Sequence, residues 1–405
     1  MNMPLQGIRI LDCTIWQQGP VATAMMGDLG AEVIKIEDRI GGDPARGVMK
    51  MWGVMARLPD GRNFYLENNN RNKKGITLDL KKEKGRQILY KLVEKSDVFV
   101  HNYRLDVPAK LGCDYETLSK YNPKLIYVQS SGYGPKGPEA LAPAFDYIGQ
   151  ARSGLMTAVG EVGMPPLTVT GAPIDQMGAT VTAYGILAAL LARERLGVGQ
   201  KVDVSMLGSA IWLQAENVAS SLIFGYEYPR WTRSDTGNPL WNHYCCADGK
   251  WLVLAMPQSD RHWPPLCRVL DIEDLRDDRR FDNMHNREQN AKELIAILDR
   301  VFATKTREDW LKLMKDEREL IVTPVNSISD LKNDPQVIAN EYIVDFDHPT
   351  LGAIKVVGVP IKLSKTPGSI RLPAPEFGQH TEEVLIDVLG YSWEEIAKLR
   401  DEEVM

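Results

Sequence analysis

The sequence predicts an α/β protein, with a Rossmann-like parallel sheet in a large domain and a smaller α+β domain set within the chain. Three observations lead there. Short β-type runs alternate with helical stretches through the N-terminal part. The texture changes after Phe224, with many of the Trp residues and charge-rich turns. The tail then returns to a mixed pattern. Strands alternating with helices imply a parallel sheet covered on both faces.

The elements follow in order. Ile8–Asp12 is a short β-type run, broken by Gln17-Gln18-Gly19-Pro20. Val21 to Leu29 forms a helix with Gly30 as its C′ residue, and Ala31–Glu37 is the next strand. Thr77–Leu80 leads into a helix over Lys84–Lys95, and Asp97–Val100 is a strand. Asp114–Lys120 is a short helix and Leu125–Val128 another strand. In such sheets ligands bind beyond the C-terminal strand ends. That singles out the loops Trp16–Pro20, Glu37–Arg46, His101–Arg104 and Ser130–Pro138. An apolar, Ala-rich helix is expected from about Gly178 to Leu196. The middle of the chain offers a strand at Lys250–Leu254 and helices around Asn290–Phe302 and Arg307–Lys315. Leu351–Val359 is strand-like, and Thr381 is the expected N-cap of a last helical segment with acidic residues in its first turn. The expected division is 1–200 as the N-terminal part of the large domain, 201–224 as a linker helix region, 225–325 as the small domain and 326–405 as a linker and return.

Composition narrows the function classes. The 405 residues are 44% hydrophobic and 25% charged, with a net charge of −6, ordinary for a globular protein. No global basic character argues for nucleic acid or an anionic membrane surface. No signal peptide is read at the N-terminus, and no uninterrupted apolar stretch has the length of a membrane span. Cys13, Cys113, Cys245, Cys246 and Cys267 are scattered and odd in number, which suits a reducing cytoplasm. Neither they nor the six histidines show metal-ligand spacing, so no metal is expected. The Rossmann rhythm lacks its fingerprint: no G-x-G-x-x-G follows the first strand and no Walker A motif appears, which disfavours a nicotinamide or ATP enzyme.

Asp175 is the leading catalytic candidate. It lies in Val169-Thr170-Gly171-Ala172-Pro173-Ile174-Asp175-Gln176-Met177-Gly178, just before the apolar helical run. A helix N-terminus favours the ionised carboxylate, and an ionised, exposed carboxylate can attack an activated acyl group. The plain alternative is a helix cap, because Asp is a preferred N-cap.

The company Asp175 keeps favours chemistry. Pro4–Asp12, Gly19-Pro20, Leu29–Glu37, Gly42-Asp43-Pro44-Ala45-Arg46 and Asn72-Lys73-Lys74 with Leu78–Lys81 run in order. They are followed by Asn102-Tyr103, Gly132-Tyr133-Gly134 with Gly137-Pro138, Phe145-Asp146-Tyr147, Gly199–Ser205 and Gly378-Gln379-His380-Thr381. In these segments, nearly end to end, the chain resembles the class III CoA-transferases (the CaiB/BaiF family), which include formyl-CoA transferase and the carnitine CoA-transferase. The resemblance implies that Asp175 is a nucleophile. It would transfer coenzyme A from an acyl-CoA donor to a small carboxylic acid through an aspartyl mixed anhydride and an aspartyl–CoA thioester. The resemblance further implies no tightly bound cofactor, with CoA and acyl-CoA as substrates. The amides of Met177 and Gly178 are expected to stabilise developing oxyanions.

By family correspondence Gln17 and Gln18 lie near the reacting centre, Leu78 and Lys81 flank the adenine end, and Asn102, Tyr103 and Arg104 line the nucleotide. Lys110 meets a phosphate, and Phe145 and Asp146 approach the pantetheine and the site. Read without the resemblance, Leu78 is core, Lys81 and Lys110 are solvated helix-face charges, and Gln17 ties down a turn. Two departures stand out. The arginine that many members carry after Lys-Ile-Glu is Asp38 here, so its nucleotide contact passes to Arg39. The glycine-rich loop of formyl-CoA transferases has no counterpart between Asn242 and Trp251, which leaves room for a bulkier acid.

Two alternatives stand beside the transferase. A 2-methylacyl-CoA racemase of the same superfamily needs a histidine base where this chain has Phe145, which carries no proton. Deuterium exchange at the acyl α-carbon separates the two. The other alternative is a non-catalytic CoA-binding protein in which Asp175 only caps. The resemblance also implies a homodimer of interlocked, ring-like subunits.

Overall fold

A computed structural model describes residues 2–51 and 53–405. Six parallel strands form the main sheet: β1 (Arg9–Cys13), β2 (Glu32–Glu37), β3 (Lys73–Thr77), β4 (Val98–His101), β5 (Ile126–Ser131) and β6 (Gln200–Ser205). Their order is β3-β2-β1-β4-β5-β6, the doubly wound order of a Rossmann sheet. The inner strands are buried on both faces, and apolar clusters lie on either side of the sheet, one around Leu11, Phe99 and Leu89, the other around Ile10, Val100 and Ile186. This is why β4 reads as an apolar run, and why β1 and β2 keep apolar pairs, Ile10-Leu11 and Val33-Ile34, between their charged residues. Order reverses between β1 and β4, and that switch point is where a doubly wound sheet opens a crevice.

Charges buried within the sheet fix the loop after β1. Lys35 Nζ donates to Asp43 Oδ2 (2.9 Å) and to the Thr14 carbonyl (2.8 Å). Lys73 Nζ donates to Asp12 Oδ2 and to the Pro20 carbonyl, each at 2.8 Å. Both lysine side chains are fully buried, and burial pushes the Lys73 ammonium down to about 8 against the pull of Asp12. Buried charges persist when they are paired and hydrogen-bonded. Here they tie both ends of the turn that carries Gln17 to the sheet.

Three helices depart from the sequence reading. α1 spans Gln18–Asp28, so Gly19-Pro20 is its first turn rather than a break. Proline is tolerated there because the first amides have no partner within the helix. α2 is Asp146–Arg152 and α3 is Pro173–Leu196, so α3 starts more than a turn before Gly178. α3 is long and apolar enough by length and composition to cross a membrane, and it packs here against α1, β6 and α4 (Met206–Leu213). α5 (Ala215–Phe224) follows α4. In the last helical segment His380 takes the N-cap position and Thr381 is the first helical residue. The Thr381 hydroxyl donates to the Gly378 carbonyl (2.9 Å) and accepts the Thr77 amide (3.2 Å).

The chain forms two compact units. The first comprises Met1–Met156, Thr168–Tyr226 and Pro335–Met405, and holds the main sheet, α1 to α5 and a hairpin, β10 (Ile343–His348) with β11 (Gly352–Val357). The second comprises Thr157–Leu167 and Glu227–Asp334. Its antiparallel sheet, β7 (Trp241–Cys245), β8 (Trp251–Ala255) and β9 (Val322–Pro324), has the order β9-β8-β7. Helices Ser259–Leu270, Ala291–Phe302 and Arg307–Met314 belong to the same α+β unit, around a core that includes Tyr244, Trp263, Phe302 and Trp310. The segment Thr157–Leu167 belongs to this unit although it lies well upstream in sequence.

Candidate active site

Two cavities in the first unit meet at Asp175. The smaller, about 410 Å³, opens at the switch point. Trp16 from the turn after β1, Gln18 at the start of α1, Asn102 to Arg104 after β4, and Ser130 to Gly132 at the end of β5 line it. The larger, about 710 Å³, is bounded by Phe64 and Tyr65, by the hairpin residues Phe346 and Ile354, and by the backbone at Gly171 and Ala172. Both volumes suit a small-molecule site. Asp175, Tyr65 and Phe145 line both.

Asp175 stands in the first turn of α3 but does not cap it. The N-cap position is Ala172, in a left-handed conformation (φ 54°) after Gly171 (φ 88°), with Pro173 opening the helix. A side chain 29 residues upstream does the capping: Asp146 Oδ1 accepts the Ile174 amide at 2.7 Å and the Asp175 amide at 3.2 Å. Gln150 Nε2 donates to Asp146 Oδ2, and Gln150 is itself locked to the main chain of Val169 through Nε2 (2.9 Å) and Oε1 (2.9 Å). A non-glycine residue at positive φ is strained, and such strain collects at functional sites. Trp16, beside Gln17, is a second case (φ 66°).

This arrangement corrects two expectations. The helix N-terminus was expected to keep Asp175 ionised; instead burial, and then the Asp146 charge, push its carboxyl up to about 7. Loss of water outweighs the helix end. The amides of Met177 and Gly178 were expected to face an oxyanion. Because α3 begins at Pro173, i→i−4 bonding commits those amides to the carbonyls of Pro173 and Ile174.

Other donors remain. Tyr65 is buried, and its hydroxyl is held protonated by burial and by the Asp175 charge. Gln18 is buried with its Nε2 lacking a partner among the described residues, and a Cβ at Gly178 would stand 2.6 Å from that nitrogen.

The remaining expected site residues divide into two groups. Gln17 is buried and lines the larger cavity. Phe145 is exposed, lines both, and meets Trp16 edge-on at 5.9 Å. Asn102 lines the smaller cavity, yet its amide group is engaged with Ile15, accepting its N–H (2.9 Å) and donating to its carbonyl (2.7 Å). Tyr103 stacks on His101 at 5.7 Å, and Arg104 makes no salt bridge among the described residues. Leu78, Arg39, Lys81 and Lys110 line neither cavity. Leu78 is core. Arg39 Nη2 is 3.4 Å from Glu403, and its buried Nε has no partner among the described residues. Lys81 is exposed, 3.9 Å from Asp38, and Lys110 is paired with Asp106 at 2.5 Å one turn away.

Sequence reasoning missed Tyr65 and the hairpin residues Phe346, His348 and Ile354, all of which line the larger cavity. Asn63, which caps the helix Phe64–Asn70 by accepting the Leu66 amide (2.7 Å), was the available signal that Tyr65 sits in an ordered first turn. No local pattern brings the hairpin, some 280 residues downstream, to the same wall.

A doubly wound sheet with a cavity at its switch point, and a half-buried carboxylate joining that cavity to a second one, has the form of a small-molecule enzyme site. The CoA-transferase family III profile matches residues 5–381, and the chain belongs to that family. It is 36% identical over 400 residues to a mouse protein named succinyl-CoA:glutarate CoA-transferase, covering 98% of this chain and 89% of that one. It is 33% identical to (R)-2-hydroxy-4-methylpentanoate CoA-transferase of Clostridioides difficile, covering 100% of both. A solved CAIB/BAIF family structure from Brucella suis superposes with a TM-score of 0.84 at 26% identity, covering 96% of this chain and 100% of that one.

Proposed function

We propose that the protein transfers coenzyme A from an acyl-CoA to a carboxylic acid with Asp175 as the nucleophile. The observation that carries this reading is the place of Asp175 where the two cavities meet, with a carboxyl raised to about 7. A poorly hydrated, more basic carboxylate is a stronger nucleophile that still ionises near neutral pH.

The steps balance without ATP or water. The Asp175 carboxylate attacks the donor thioester, forming a C–O bond and expelling CoA thiolate. The thiolate attacks the aspartyl carbonyl of the anhydride, forming the enzyme–CoA thioester and releasing the donor acid as its carboxylate. The acceptor carboxylate attacks that thioester and expels the thiolate again. The thiolate attacks the acceptor carbonyl of the new anhydride, leaving acyl-CoA and free Asp175. One negative charge passes from oxygen to sulfur and back. The Tyr65 hydroxyl and the Gln18 amide are the donors offered to the transient oxyanions. Gln18, Asn102, Tyr103, Arg104 and Phe145 line the smaller cavity and support a CoA path through it, while Gln17 and Asp146 stand on the side of the larger one. In that arrangement Arg39, Lys81 and Lys110 serve only the outer, nucleotide end.

An exchange assay tests the reading. Labelled free acid passes into acyl-CoA with the native protein, and Asp175→Ala abolishes exchange while CoA still binds. Retained exchange in that variant would remove Asp175 from the chemistry.

A homodimer is part of the proposal. α5 has no buried residue, its end Leu222-Ile223-Phe224 is an exposed apolar run, and Trp212 on α4 is exposed too; exposed apolar surface of this kind marks an interface. Sedimentation at twice the chain mass of 45.4 kDa is expected. The five cysteines are free, which supports a reducing compartment such as the cytoplasm.

A further inference from the structure

The larger cavity says what kind of acid the site accepts. We infer that it takes the apolar tail of a monocarboxylic acid, aliphatic or aromatic, and discriminates against dicarboxylic acids. The inference rests on the transferase reading above and narrows its substrate class.

Apolar walls are the first observation. Met51, Leu58, Phe64, Phe346, Ile354 and Leu372 face a space of about 710 Å³ that reaches Asp175. That is far more room than a two- or three-carbon acid fills, and apolar walls favour apolar tails.

The state of the lining cations is the second. A distal carboxylate buried there would need a charged or hydrogen-bonding partner. Arg71 is consumed: its Nη2 lies 2.7 Å from Asp28 Oδ2, its Nε reaches both Asp28 oxygens, and its Nη1 donates to the Val357 carbonyl at 2.7 Å. His348 is engaged on both ring nitrogens: the Thr350 and Leu351 amides point at its Nδ1 (3.3 and 3.2 Å), and its Nε2 lies 3.4 Å from Glu67. Lys355 is exposed and paired with Asp345 at 2.8 Å. Glu67 is itself paired with Arg62 at 3.1 Å, and against the engaged cations stand Asp146 and Asp175 in the same lining, which disfavour a second carboxylate. Of the two relatives above, the cavity suits the acid in the name of the Clostridioides difficile protein, with its branched apolar tail, better than glutarate.

Identity exchange tests this directly, because donor and acceptor are then the same acid. Each acyl-CoA is incubated with its own labelled free acid, comparing 4-methylpentanoyl-, hexanoyl- and 3-phenylpropanoyl-CoA with succinyl- and glutaryl-CoA. The expected result is a kcat/KM at least about tenfold higher for the apolar acids. Succinyl- or glutaryl-CoA exchanging as fast or faster would overturn the inference while leaving the transferase reading intact. No exchange with any acid would overturn that reading and this inference with it. Ile354→Arg places a cation in the wall and is expected to shift the ratio of glutaryl to 4-methylpentanoyl exchange at least about tenfold toward glutaryl. Leu372→Arg, at a half-exposed position, is the second variant should the first not fold. An unchanged ratio in a folded variant would show that the tail lies elsewhere.

Discussion

The Asp146 carboxylate holds the main chain of Asp175 while repelling its side chain. Its Oδ1 accepts the Asp175 amide at 3.2 Å, and its charge adds to burial in raising the Asp175 carboxyl to about 7. One residue thus helps fix the position of the proposed nucleophile and adds to its basicity. Asp146→Asn removes the charge and keeps an acceptor for the Ile174 and Asp175 amides. The acid limb of kcat/KM is therefore expected near pH 7 in the native protein and lower in the variant. An unmoved limb would assign the shift to burial alone. The same change sets an amide NH2 against Gln150 Nε2, which Val169 prevents from turning. A loss of about 1–3 kcal/mol in denaturant unfolding is expected from that mismatch.

Asp175 itself should weaken the fold as pH rises from about 4 to about 7. Its folded value, about 7, lies above the ordinary 3.8. The native state therefore holds a proton that the unfolded chain has released, and stability falls as pH rises through that window. Asp175→Asn is expected to be more stable than the native protein by roughly 1–3 kcal/mol at about pH 8, with no such gain at about pH 4. Equal gains at both pH values would contradict the raised carboxyl.

Tyr65 lines both cavities with a hydroxyl that burial and Asp175 keep protonated. Tyr65→Phe preserves the ring and removes the donor. A fall in kcat of about 100-fold with little change in KM is expected for a donor used in the transition state. A change confined to KM would mean that the hydroxyl only binds substrate.

Gly178→Ala drives a Cβ to 2.6 Å from Gln18 Nε2 and 2.9 Å from its Cγ. The gain of alanine over glycine within a helix, about 1 kcal/mol, offsets much of the clash, so unfolding is expected to move little. Activity is expected to fall about tenfold because the Gln18 amide is displaced. Native activity would show that this amide plays no part.

The sheet was legible in the sequence because both faces of its strands are buried, so Arg9–Cys13, Glu32–Glu37 and Val98–His101 each carry adjacent apolar residues between helical stretches. β3 was not, because Lys73 and Lys74 open it and a lysine reads as solvent-facing until its buried partner, Asp12, is seen. The start of α3 was misplaced because its cap is the side chain of Asp146, not a neighbour in sequence. Pro173 was the local clue. Asp175 itself was found through motif order. Its raised carboxyl was invisible, since that comes from residues brought together only by folding.

Trapping the aspartyl intermediate tests the central claim most directly. The protein is incubated with acyl-CoA donors, quenched with hydroxylamine, digested and mapped by mass spectrometry. The account predicts a hydroxamate, or a CoA thioester adduct before quenching, on the peptide containing Asp175 and on no other. A protein that exchanges CoA between acids yet carries no modification at Asp175 would contradict it.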